Sequence, residues 1–122
     1  MTGFVTDVDP PAVLPEVMTG GTKRQKDMRK ALRLLLPHIP MRDAEAILAA
    51  SLAGHLRHLP PSLALWQATT SYVRHELTDY DTLLDDGYDR DAARFFVVDD
   101  MNTVLEGWGC KNRVSAEDDV IS

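Results

Sequence analysis

SLALWQATTSYVRHELTDYDTLL, residues 62–84, reads as a single helix of about six turns. At about 100° per residue, Trp66, Val73, Leu77, Tyr80 and Leu84 share one stripe, flanked by Leu65, Tyr72 and Leu83. Arg74, His75, Thr78, Asp81 and Thr82 lie away from its centre, so the polar string HELTD is expected on the outside. Ser62 stands where an N-cap belongs, after the LPPS break at 59–62. At the other end DDGYD (85–89) supplies a turn. Gly87 can enter the left-handed region without a Cβ penalty, Asp89 can cap the next helix, and Asp91 then faces the positive end of its dipole.

Downstream, a helix over 90–107 is expected to bury Ala93, Val97, Met101, Val104 and Trp108, with Phe96 and Leu105 beside them. Phe95 points nearly opposite that stripe, which assigns it to the N-terminal arm or to a partner surface. Upstream, Thr22 caps a helix over 23–36 with Met28, Leu32 and Leu35 inward, joined by Ala31 and Leu36. PHIP (37–40) ends it. A second helix over 41–58 carries Ala44, Ile47, Leu48, Ser51, Leu52 and Leu56 at steps of three and four. The expected fold is all-α: a compact bundle of about four main helices, antiparallel where connections are short, with flexible N- and C-terminal segments. Residues 1–21, with three prolines and three glycines, form the arm; 22–110 form a single helical domain; 111–122 form an acidic tail.

A chain of 122 residues has room for one modest core. Its lone Cys110 excludes an internal disulfide and points to a reducing compartment. No secretory leader is evident, and no apolar run approaches the roughly 20 residues that span a bilayer, so the protein is expected to be cytoplasmic, without membrane contact. The net charge of -6 disfavours broad nucleic-acid binding, but charge is unevenly placed. In 23–33 (KRQKDMRKALR) six basic side chains oppose Asp27 alone, giving +5; in 76–106 ten acidic side chains oppose Arg90 and Arg94, giving -8. Such asymmetry can bring the first helix against the last two, join two subunits head to tail, or present a basic strip to an anion.

The chemistry-bearing strings are few. HELTD sets His75 and Asp79 one helical turn apart beside Glu76, like the zinc pattern HExxH without its second histidine. The aspartates at 79, 81, 85, 86, 89 and 91 lack the spacing of a calcium loop. His55, His58 and His38 suit helix-end roles, and Cys110 beside Trp108 reads as an inert thiol. No catalytic residue, metal site or cofactor is assigned. The candidate polar cluster is Arg74, His75, Asp79, Asp81, Asp89, Arg90 and Arg94. The candidate anion-binding set is Lys23, Arg24, Lys26, Arg29, Lys30 and Arg33, with no aromatic stacking platform among them.

Two stretches carry a family likeness: LLPHIPMRDAEAI (35–47) and YVRHELTDYDTLLDDGYDRDAAR (72–94), with Trp108 near the end. They resemble the bacterial domain of unknown function 2293 (DUF2293), over about residues 30–108. Between them HLRHLPPS (55–62) differs from the glycine- and arginine-rich connection of similar proteins. The resemblance implies a helical fold and no assigned reaction. The expected function is a protein-interaction or scaffold module without catalysis, as a homodimer or with another protein. The alternatives are an anion or nucleic-acid module using the first helix, and a metal-dependent hydrolase using His75, Glu76 and Asp79.

Overall fold

A computed structural model describes residues 21–116; the expectations for the arm up to residue 20, and for residues 117–122 of the tail, lie outside it. Four helices of 11 to 18 residues and one of six make up an all-α bundle: α1 (Lys23–Leu35), α2 (Met41–Ser51), α3 (Pro61–Leu77), α4 (Tyr80–Asp85) and α5 (Arg90–Gly107). Helix α3 is the axis: it packs against α1, α2, α4 and α5, while α1 also packs against α2 and α4 against α5. Met28, Leu36, Ile47, Leu48, Leu65, Val73, Val97, Met101 and Leu105 form the most deeply buried part of the core.

Thr22 caps α1 through a reciprocal box: its hydroxyl accepts from Gln25 N at 3.2 Å, and Gln25 Oε1 accepts from Thr22 N at 2.9 Å. Helix α2 stops at Ser51, not at 58, because Ala53 turns extended (φ -63°, ψ 151°) and a 3₁₀ turn, Gly54–Leu56, follows. The carbonyls of Leu56 and Leu59 are taken by Arg24 Nη2, reaching from α1 at 3.1 and 2.9 Å. Ser62 is not the cap of α3. Pro60 precedes the helix and Pro61 opens it, where a missing amide hydrogen costs nothing.

The long helix expected over 62–84 is two helices. Thr78 is extended (φ -133°, ψ 175°), and its hydroxyl donates to the Arg74 carbonyl while accepting from Tyr80 N at 3.2 Å. One side chain therefore closes α3 and opens α4, the kind of competition with the backbone at which threonine excels. Leu77, expected in the core, is the last residue of α3 and is 40% exposed, whereas Arg74, expected outside, is 3% exposed because the Tyr80 ring, from beyond the break, lies over its guanidinium. Val73 and Tyr80 are buried as expected, and Trp66, Leu83 and Leu84 pack partly buried against the core.

Gly87 adopts φ 101° and Asp89 Oδ1 accepts from Ala92 N at 2.8 Å, so the expected turn and cap both form. On α5, Ala93, Val97, Met101, Leu105 and Trp108 are buried, Val104 is half-buried, and Phe96 is exposed rather than beside the stripe. Packing continues past residue 110. Val114 is buried, its N–H donates to Asn102 Oδ1 at 2.8 Å, and its carbonyl accepts from Asn102 Nδ2 at 3.0 Å.

Candidate functional site

Helix α3 is apolar on no single side, because neighbours cover most of its circumference. Its buried hydroxyls are satisfied locally: Thr69 Oγ1 donates to Leu65 O at 2.7 Å and Thr70 Oγ1 to Gln67 O at 3.1 Å. A polar tie reaches outward from its far half. Tyr72 Oη donates to Asp43 Oδ1 at 2.6 Å, linking α3 to the first turn of α2, where the carboxylate also meets the positive end of the helix dipole. Accepting that hydrogen bond, Asp43 pushes the Tyr72 phenol up to about 12, with burial adding to the effect. Neither residue stood among the expected site residues. The available sign was an aspartate in phase with Ala44, Ile47 and Leu48, on the side of α2 that must be covered.

The expected polar cluster is brought together only in part. His75 Nδ1 lies 2.7 Å from Asp81 Oδ1 across the α3–α4 break, and the His75 ring meets the Tyr80 ring edge-on with centroids 5.2 Å apart. The Arg74 guanidinium lies 5.7 Å from the centre of that same Tyr80 ring, buried beneath the break. Asp79 instead lines a shallow surface groove with Tyr88, Phe96 and Asp100, while Asp89 is spent as the α5 cap. Arg90 is exposed and Arg94 is half-buried. The cluster thus divides into an elbow around Tyr80 and a helix cap.

His75 borders an open groove of about 450 Å³ that is also lined by His55, Gln67, Ser71, Tyr72 and Glu76. Among the described residues, no three histidine, cysteine, aspartate or glutamate side chains are grouped to hold a metal ion. The basic strip is partly occupied as well. Lys23 Nζ pairs with Asp27 Oδ2 at 2.9 Å and Arg24 holds the 54–59 turn, while Lys26, Lys30 and Arg33 are exposed and Arg29 is half-buried. Burial raises the Cys110 thiol above its ordinary range.

A second surface combines the end of the Gly87 turn with the start of α5. Tyr88 and Phe96 meet edge-on at 5.4 Å, and Phe96 meets Phe95 at 6.0 Å. Phe95 is 68%, Phe96 55% and Tyr88 46% exposed. Helical phase gave Phe95 its outward place; it could not add Tyr88 and Phe96, whose meeting depends on the path of the turn.

An all-helical domain with a polar elbow and an exposed aromatic face is the class that these observations define. The chain belongs to the family described as Uncharacterized conserved protein (DUF2293), whose model matches residues 31–109. Comparison with curated proteins finds no match, and comparison with solved structures finds none. The matched span begins inside α1 and ends at Gly109, so it holds the whole elbow and the aromatic face.

Proposed function

We propose that this domain is a protein-interaction module and that its contact surface is the aromatic face of Tyr88, Phe95 and Phe96. The observation that carries the proposal is the contiguity of three exposed rings. Isolated exposed residues such as Leu34 and Leu63 are ordinary on a protein surface, but a connected patch of large apolar side chains marks a place where another molecule sits. The edge-to-face contacts restrain the rings before any partner arrives, which lowers the ordering cost of binding. Asp79, Asp99 and Asp100 border the face, so a partner with basic residues around an apolar centre suits it. The lone thiol of Cys110 suits a reducing, cytoplasmic setting for such a module.

An anion-binding role for α1 draws less support, since Arg24 and Lys23 already serve contacts within the chain. A hydrolytic role draws on the His75–Asp81 pair alone.

A photo-crosslinking phenylalanine placed at position 95, in the full chain and in its native cells, tests the proposal. Adducts to a protein, another copy included, are expected there and absent from a control probe at the exposed Ser62. Absence of adducts at 95, or adducts confined to the same chain's residues 1–20, would overturn it.

A further inference from the structure

We infer that the partner of the aromatic face is a second copy of this chain, received in the groove between α1 and α2; the inference rests on the docking role proposed above. That groove encloses about 260 Å³ over Leu32, Leu36, Ala44 and Leu48, with Arg33 and Met41 at its rim. A dry apolar cavity of about 150 Å³ admits one benzene ring, so the groove has room for one phenyl side chain. Phe95 is the more exposed of the two phenylalanines and is the ring that enters. Phe96 and Tyr88 brace it from behind.

Charge sets the orientation. Asp99 and Asp100 follow Phe95 and Phe96 by one helical turn and therefore stand beside them on the same faces of α5. The groove opens beside the basic strip of α1, with exposed Arg33 on its rim and exposed Arg42 in the first turn of α2. An acidic border around an inserted ring thus meets a basic border around an apolar floor, a match that steers encounter and fixes register.

The two surfaces of one copy do not serve each other. Helices α1 and α2 pack against each other and on α3, and α4 and α5 do likewise. The groove end of the molecule touches α5 at Trp108, whose carbonyl accepts from His38 N at 2.9 Å. Phe95 stands thirteen residues earlier on the same helix, about 20 Å away along its axis. Face and groove are different surfaces, so the contact is head to tail. A single inserted ring with a charged rim gives a small interface, whose association weakens as salt is added.

Sedimentation of the full chain from about 1 to 300 µM at about 50 mM salt measures the association directly. Two variants separate the surfaces: Phe95→Asp removes the face, and Arg33→Glu with Met41→Asp removes the groove. All three side chains are exposed, and a melting temperature near that of the wild type checks the fold. Should Met41→Asp melt early, Arg33→Glu alone carries the groove arm. Wild type is expected to gain mass with concentration, and each variant alone to associate at least tenfold more weakly. An equimolar mixture of the two variants should recover association as a heterodimer, because one keeps the groove and the other keeps the face. A wild type that stays monomeric across the range, or a mixture that does, overturns the second copy as partner. If crosslinks from position 95 nevertheless capture a different protein, the docking role stands and only this inference falls.

Discussion

At its C-terminal end α5 is held by three separate devices. Gly109 takes φ 81° against Pro37 and His38, the Trp108 carbonyl accepts from His38 N, and Asn102 grips both backbone groups of Val114. At its N-terminal end the same helix has a glycine turn in open space and the Asp89 cap, and it projects Phe95 and Phe96 outward. One helix therefore serves as a strut at one end and as a contact surface at the other. Fixing the far end firmly lets the near end spend aromatic side chains on something other than packing.

Replacement at Gly109 should give the largest effect. A Cβ there would lie 2.8 Å from Pro37 Cγ and 2.9 Å from His38 Nδ1, on a backbone that L residues rarely adopt. Strain of about 1–2 kcal/mol adds to an overpacking cost of similar size, so Gly109→Ala is expected to destabilise by about 3 kcal/mol in urea unfolding. A loss below about 1 kcal/mol would show that this end is not clamped. Asn102→Ala comes next, at about 2 kcal/mol, because the N–H and carbonyl of Val114 both lose the Asn102 amide and must recover water by pulling a buried valine free. Hydrogen exchange at the Val114 amide should speed up in that variant while the α3 amides hold.

How far these contrasts could be read in advance depends on how many neighbours a helix has. Helix α5 packs mainly along one stripe, so periodicity alone found Ala93, Val97, Met101 and Trp108 and turned Phe95 outward. Helix α3 has neighbours on several sides, and its small buried residues Ala64, Ala68, Thr69 and Thr70 leave no single stripe to find. A helix continued through Thr78 would keep Tyr80 off Arg74; one threonine hydroxyl ends it there, so the Tyr80 ring covers Arg74 and Leu77 is left at an exposed helix end. The glycine and aspartate of the DDGYD turn were legible for a related reason: φ above zero and an N-cap are local demands. The Asp43–Tyr72 tie, 29 residues apart, and the His75–Asp81 contact across the break are tertiary, and local pattern does not contain them.

That tie calibrates the α5 comparison with a polar contact elsewhere in the fold. Tyr72→Phe should cost about 1.5 kcal/mol, at the low end for a bond to a carboxylate because the site is only partly covered. The phenol pKa is raised by folding from 10.0 to about 12, so the folded state keeps this proton where the unfolded chain has lost it. The stabilisation is complete below pH 10 and disappears as pH rises through 12. Urea melts of wild type and Tyr72→Phe should therefore converge over that window, and an unchanging gap would contradict the assignment.

At the open end Gly87→Ala should cost about 1 kcal/mol, less than half the effect at Gly109, since only the backbone conformation objects and no atom lies within 4 Å of the added methyl. Equal losses at the two glycines would erase the distinction between clamped and open ends. Phe95→Ser should then be nearly silent, within about 0.5 kcal/mol, because a ring that is two-thirds exposed gives little burial to lose. A large phenylalanine that contributes almost nothing to the fold, on a helix anchored elsewhere, has its use outside the fold. If Phe95→Ser instead costs about 2 kcal/mol in the full chain, the ring is packed within its own molecule, and the aromatic face is structural rather than a docking surface.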